Sequence, residues 1–590
     1  MRYAIYPCCG AETHTVLTTL DPMTRLIPLL LAAITSTLVI AESPRPLTAP
    51  PPRPKLLVLL SVDQLRADYA TMYGDRWTAG LRRLYAQGAS FPLAAFPYQN
   101  TVTCAGHATI GTGAFPATHG LPINGWWDRE ARKVVACTDD ADVISVPYRG
   151  TGTRPSHSAH FLKVPTFADE LRAQSAARPR VVSLSLKPRS AIMMAGHAAD
   201  LMLWYGGAQG WSSSTAFAAA PVPFVKAFID ANPIERDAGA AWTRMLPDSA
   251  YRFADEGPGE DPPSGWSATF PHVLPGSPGQ PAPGFYETWP LTPLADVQLG
   301  QLAAEAMRGF GLGKGPGTDF LAVSFSTLDY TGHAFGPHSH EVQDVLFRLD
   351  RTIGTLLDAL DRLVGRDHYI VALTGDHGVA PLPEHLETVG LEGGRVPAKE
   401  LIAKVNAALA PFLGEGSHVA RLIYTDLYLA DGVYDRIRDN GDALRAVSSA
   451  ILTVPAIARV VRGEDLPARR GDADPLVRAA ALSYVPGRSG DLVVIPNPYW
   501  QNSTTGTTHG TAYAYDQRVP VVLAGAGIAP GTYLVAATPA DIVTTFAWLT
   551  GVTLPRADGR VLVEALAPPT TASVRSGATM RGTIDAGAVR

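Results

Sequence analysis

Charge is what this chain has little of. Asp, Glu, Lys and Arg make up 17% of its 590 residues, below the ~25% usual in soluble domains. The 54 acidic residues narrowly outnumber the 49 basic ones, giving a formal charge of −5, and no basic run breaks that balance. An electrostatic hold on nucleic acid is thereby excluded. Apolar runs long enough to suggest a membrane signal are equally scarce. One stands out, Leu26–Ile40, and it falls short of the ~20 residues of an ordinary spanning helix. Cysteine is rare too, with four in all, and none follows that run where a lipoprotein would need one. No internal repeat is present.

What is present is apolar bulk and loop-forming residues. Hydrophobic residues at 46% supply a sizeable core and exclude disorder throughout. The 55 glycines and 50 prolines favour long structured loops over a helical bundle. The length allows two to four domains of ~150 residues, or one large α/β domain with insertions. Met23-Thr24-Arg25, the apolar run and then Ala41 read as a signal peptide over 23–41, with an uncleaved N-terminal anchor as the alternative. Residues 1–22 carry no pattern and read as a non-native extension ahead of a start at Met23. Residues 42–54 form a proline-rich linker. Export makes Cys104 and Cys137 a pair that a disulfide could join, a point the spacing leaves open. The mature chain is expected in the periplasm or secreted, free of the membrane once the signal is removed.

Strand-like and helix-like segments alternate along the mature chain. Lys55–Asp63, Val181–Leu186, Asp319–Leu328, Tyr369–Thr374, Asp491–Ile495 and Val519–Leu523 read as buried strands. Trp77–Gln87, Pro293–Phe310, Glu341–Val364, Ala398–Phe412 and Pro539–Leu549 read as amphipathic helices. This order predicts an α/β fold with a largely parallel central sheet. Residues 55–205, 290–384 and 491–566 would form one catalytic core. An irregular insertion over 206–289 and an α+β lobe over 385–490 would interrupt it, with a flexible tail over 567–590.

The acids and histidines carry the chemistry. Asp63, Asp329 and Asp376 each close a strand-like run, and open α/β sheets bind ligands at the carboxyl ends of their strands. His333 follows Asp329 in DYTGH, His377 follows Asp376 in GDHG, and His509 lies in TTGTTHGTAY. Three carboxylates and three imidazoles suit two divalent metals, with zinc favoured by the mixed ligands and manganese or iron left open. The segment Asn100–His107 (NTVTCAGH) places Thr103 at the start of a small-residue helix. A hydroxyl there is either a helix cap or, with a metal to lower its pKa, a nucleophile. His107, one turn on, is expected to pack or bond beneath the loop.

Taken in order, VDQLR, TVTCAGHATIGTG, INGWW, SLKPRS, DYTGH, GDHG and TTHGT resemble the alkaline phosphatase superfamily. Within it the resemblance is to the bacterial threonine-nucleophile alkaline phosphatases of the phosphate-irrepressible type, relatives of type I phosphodiesterases and nucleotide pyrophosphatases. It covers Lys55 to Leu549. It implies a three-layer α/β/α fold, two zinc ions, and Thr103 as the catalytic nucleophile. Asp63, Asp376, His377 and Thr103 would hold one zinc and Asp329, His333 and His509 the other. Asn124, Lys187 and Arg189 would bind the phosphoryl oxygens. The implied partners are small phosphate monoesters, with inorganic phosphate as product, and the implied state is a monomer or weak oligomer. A phosphodiesterase or nucleotide pyrophosphatase on the same scaffold is the alternative. A sulfatase is disfavoured because no Cys/Ser-x-Pro-x-Arg motif surrounds Thr103.

Overall fold

The computed structural model describes residues 53–567. The expected extension, signal peptide, nearly all of the linker and the tail beyond 567 lie outside that range. Five parallel strands form the centre: β1 (Leu56–Val62), β2 (Val181–Ser185), β3 (Leu201–Tyr205), β4 (Asp319–Phe325) and β5 (Tyr369–Gly375), in spatial order β5-β1-β4-β2-β3. β1 shows why they sit inside. Leu56, Val58, Leu60 and Val62 join the hydrophobic cluster on one face, and Leu57 and Leu59 join the cluster on the other. Every residue of the strand is buried, which is what a continuous apolar run demands of a parallel sheet covered on both sides.

Helices Gly80–Gln87, Pro293–Phe310 and His340–Leu363 cover one face. The other is covered by α1 (Thr103–Thr112), α2 (Pro188–Ala195) and the helix Ala540–Thr550. The result is the expected three-layer α/β/α sandwich. The sheet as a whole is mixed, however, with ten strands. Val521–Gly525 runs antiparallel to β5, and Trp211–Ser214 runs antiparallel to β3.

Two segments depart from expectation. Trp211–Ser214, within the segment read as irregular, extends the central sheet, and Pro223–Ala231 is a helix packed on its core through Val225 and Ile229. Leu492–Pro496 pairs with Asp426–Leu429 and Ile457–Arg462 in a separate four-stranded antiparallel sheet. That sheet therefore runs past the boundary expected at 490. Its helices Ala398–Leu413 and Gly441–Leu452 bury Leu401, Val405, Leu409, Val447 and Ile451 in a core of their own. No helix among the described residues is long and apolar enough to cross a membrane.

Candidate active site

The carboxyl ends of β5, β1 and β4 lie side by side, and register decides what they deliver. Val62 pairs with Gly375 on one side and Phe325 on the other. Asp63 and Asp376 therefore emerge at one level. Asp329 follows slightly later, in the first turn of α3 (Thr327–Phe335) rather than at a strand end. A sharp turn at Gln64, with φ of 67°, ties the three together. Its backbone N–H donates to Asp376 Oδ1 at 3.1 Å, and its side-chain amide donates to Asp329 Oδ1 at 2.8 Å. Such a φ is uncommon for a non-glycine residue and persists only where surrounding contacts hold it.

The histidines show a shared pattern. His333 Nδ1 faces the Thr507 carbonyl at 2.8 Å, His377 Nδ1 the Gly378 carbonyl at 2.9 Å, and His509 Nδ1 the Thr101 carbonyl at 2.8 Å. A carbonyl only accepts, so each Nδ1 carries the proton and each Nε2 is left toward the site. His333 Nε2 lies 3.3 Å and His509 Nε2 3.7 Å from Asp329 Oδ1, and His377 Nε2 lies 3.1 Å from Asp376 Oδ2. The rings of His377 and His509 stack at 3.5 Å. A backbone carbonyl behind each imidazole is the outer-shell arrangement typical of metal-ligating histidine.

Among the described residues, two groups can therefore hold a cation. Asp329, His333 and His509 come together as expected, while the other group within ligand range is Asp63, His107 and Asp376. His107 was left out of the ligand sets on sequence grounds, and both of its nitrogens already have protein partners. Nδ1 bonds the Thr103 carbonyl and Nε2 bonds Ser324 Oγ, each at 2.9 Å. It also lies 3.2 Å from both Asp63 and Asp376. His107 thus bonds beneath the helix and bridges the two acids. Asp376 Oδ2 is buried without a hydrogen bond, and a carboxylate oxygen so placed, with the free Nε2 atoms nearby, fits the donor set of a divalent metal.

Thr103 is the first residue of α1, and its hydroxyl caps nothing: the N-cap is Val102, without a side-chain cap. Its Oγ1 faces His377 Nε2 at 3.4 Å. The helix approaches the end of β5 closely at Gly106, where a Cβ would collide with the Asp376 carbonyl. Asn124 Oδ1 accepts the Cys104 backbone N–H at 2.8 Å, and its Nδ2 donates to the Tyr424 hydroxyl at 3.2 Å. Lys187, just ahead of α2, is 1% exposed. Its Nζ sits 2.8 Å from Asp63 Oδ2 and also pairs with Asp329. Arg189 is half-buried, with its Nε unpartnered. Cys104 and Cys137 form a disulfide.

The electrostatics follow from these contacts. Burial opposes ionisation of both acids, yet Lys187 and His107 hold Asp63 well below the usual carboxylate range, and Lys187 and His333 do the same for Asp329. Burial likewise opposes a charged His107, but Asp376 and Asp63 push it up to about 10. Burial and the neighbouring His377 lower His509. All seven expected ligands, together with Asn124 and Lys187, converge on one place. Gln64 and Tyr424 join them without having been singled out, and His107 joins them in the supporting place expected of it. His107 alone left a trace in the sequence, its i+4 spacing from Thr103 on a helix. Gln64 acts through a turn, and Tyr424 arrives from the distant lobe.

Comparisons with known proteins place the chain in a family and match its fold. The model of the "Type I phosphodiesterase / nucleotide pyrophosphatase" family matches residues 57–516. Alkaline phosphatase PhoK of a Sphingomonas species is 32% identical over 542 residues, covering 86% of this chain and 91% of its own. Alkaline phosphatase PafA of Elizabethkingia meningoseptica is 30% identical over 500 residues, covering 81% of this chain and 88% of its own. The crystal structure of wild-type PafA superposes with a TM-score of 0.80, covering 88% of this chain and 99% of that one at 28% identity. A Myroides odoratus relative named "Calcium-transporting ATPase" is 31% identical, over 87% of this chain and 95% of its own. The chain belongs to the type I phosphodiesterase / nucleotide pyrophosphatase family, alongside the bacterial alkaline phosphatases PafA and PhoK.

Proposed function

We propose that this protein is an exported, zinc-dependent alkaline phosphatase that hydrolyses phosphate monoesters through a phosphothreonine at Thr103. The observation that carries the reading is the uncapped Thr103 hydroxyl at the head of α1, set against the free Nε2 of His377 and beside two donor groups able to hold cations. Asp63, Asp376, His377 and Thr103 would hold one zinc and Asp329, His333 and His509 the other. When bound, such cations supply Lewis-acid stabilisation of phosphoryl oxygens and lower the pKa of a coordinated hydroxyl.

The chain's own residues do the rest. Thr103 Oγ1 attacks phosphorus and the ester oxygen leaves on the opposite side. Water then attacks the phosphothreonine, freeing inorganic phosphate and restoring the hydroxyl. The amide of Asn124, with Oδ1 already engaged by Cys104, presents Nδ2 as its donor edge. Lys187 and Arg189 bring two positive charges to one end of β2, and a monoester dianion has one more negative charge than a diester to meet them. His107 anchors Asp63 and Asp376 from below. Export is supported by the segment 23–41 and by the Cys104–Cys137 bond, which an oxidising compartment preserves. The natural partners are small phosphate monoesters.

The family match favours a second reading, a phosphodiesterase on the same residues. Hydrolysis of p-nitrophenyl phosphate against bis-p-nitrophenyl phosphate, with zinc and then with chelator, separates the two. A strong monoester preference lost on chelation is the expected result. A diester preference overturns the roles given to Lys187 and Arg189, and activity on neither overturns the reading altogether.

A further inference from the structure

Both cysteines of the disulfide grip the same residue. The Cys104 backbone N–H donates to Asn124 Oδ1 at 2.8 Å, and the Cys137 backbone N–H donates to the Asn124 carbonyl at 2.9 Å. The chain explains the convergence. Cys104 is the second residue of α1, where a backbone N–H has no partner within its own helix. Asn124 immediately precedes the hairpin Gly125–Asp128 and Lys133–Ala136, and Cys137 follows it, so the 124–137 pair continues the ladder that starts at Gly125 and Ala136. The bond joins the helix head to the hairpin base across 33 residues of sequence. Cys104 is 0% and Cys137 1% exposed. From the lobe, Tyr424 meets only the free edge of the amide.

We propose that the Cys104–Cys137 disulfide is a positioning device: it locks Asn124 against the head of the nucleophile helix, so that Nδ2 is held at a set place relative to Thr103. This rests on Asn124 binding the phosphoryl group. Cutting the cross-link frees the hairpin base to shift against α1, and the amide then meets the phosphoryl oxygens out of place. The cysteines touch no substrate and act through Asn124 alone.

The test is a double-mutant cycle between the cysteine pair (Cys104→Ala with Cys137→Ala) and Asn124→Ala, read by kcat/KM for p-nitrophenyl phosphate in the zinc-loaded protein. The pair should lower kcat/KM roughly tenfold to hundredfold in the wild-type background. In the Asn124→Ala background it should cost about twofold or less. Tm should fall equally in both backgrounds, because the cross-link's structural role does not depend on Asn124. Equal kinetic losses in both backgrounds, or no loss in the wild type, overturn the inference while leaving the phosphatase reading intact. Full activity of Asn124→Ala overturns the role of Asn124 itself, and the positioning device with it. If the cysteine variant does not fold, a phosphine reductant applied to folded protein makes the same cut. The phosphine becomes its oxide with oxygen from water, the two sulfurs take the protons, and a thiol count verifies the cut before the same comparison is read.

Discussion

The two halves of the site are built for different tasks. On the Asp63 side, Asp63, His107, Asp376 and His377 have fully buried side chains, and two cations, Lys187 and the raised His107, already balance the carboxylates. On the Asp329 side, the His333 side chain is 37% exposed, and His509 sits on a glycine- and threonine-rich loop. The closed half carries Thr103, the proposed nucleophile, and the open half meets solvent through His333. That division suits a two-step transfer in which attack comes from within and water arrives from outside. The difference teaches that the two halves serve different steps, and each half can be attacked separately.

The sharpest test of the closed half is Thr103→Ala. Removing a nucleophile from a working unit costs on the order of 10⁴-fold or more in kcat, and zinc content should be unchanged because the other ligands remain. Measured zinc with full turnover would break the assignment. Next comes Lys187→Met, which strips the cation shared by Asp63 and Asp329. Leaving buried carboxylates uncompensated costs about 3–5 kcal/mol. In urea titrations the loss should appear in chelated protein and shrink in zinc-loaded protein, where metal takes over the compensation. An equal loss in both states would show that the lysine does not substitute for the cations. The monoester-to-diester rate ratio of the same variant should also fall.

Much of this site is legible in the sequence. The three acids announced themselves by closing apolar runs, and the helix Pro293–Phe310 was read to the residue. What escaped lies in relations between distant segments. An apolar run states that it is buried but not in which sheet, so Leu492–Pro496 was read with the core although it pairs in the lobe. Trp211–Ser214 was missed because four residues among Gly and Ser carry too little pattern. Gln64 works through a positive φ and two hydrogen bonds that no side-chain periodicity encodes. Tyr424, with φ of 50° between the lobe strands Val419–Ile423 and Asp426–Leu429, reaches Asn124 from 300 residues away.

The open half is probed by Asp516→Ala. The Asp516 carboxylate accepts from the backbone N–H groups of Gly510 and Thr511 and from the Thr511 hydroxyl, holding the loop that presents His509. Asp516 braces the loop rather than the imidazole itself, so zinc affinity should fall by about tenfold, the low end for loss of an outer partner. Chelator competition should show one zinc per chain weakened and the other retained. Weakening of both alike would erase the distinction between the halves.

The smallest effect concerns acid. His119 supports the closed half from behind: its Nδ1 accepts the Leu121 N–H at 3.2 Å, which leaves Nε2 as the protonated nitrogen facing Thr109 Oγ1 of α1 at 3.3 Å. Burial is the main force moving its pKa, from the ordinary 6.5 down to about 3. Below pH 6.5 the unfolded chain takes up a proton that the folded chain refuses, so stability present above 6.5 drains away as the pH falls toward 3. From pH 7 to pH 5 this single group should take roughly 2 kcal/mol from the unfolding free energy. In His119→Gln that share of the decline disappears, whatever the substitution costs at neutral pH. Urea titrations of both proteins at the two pH values read the difference directly. Parallel declines would place the acid sensitivity elsewhere and leave the closed half without this support.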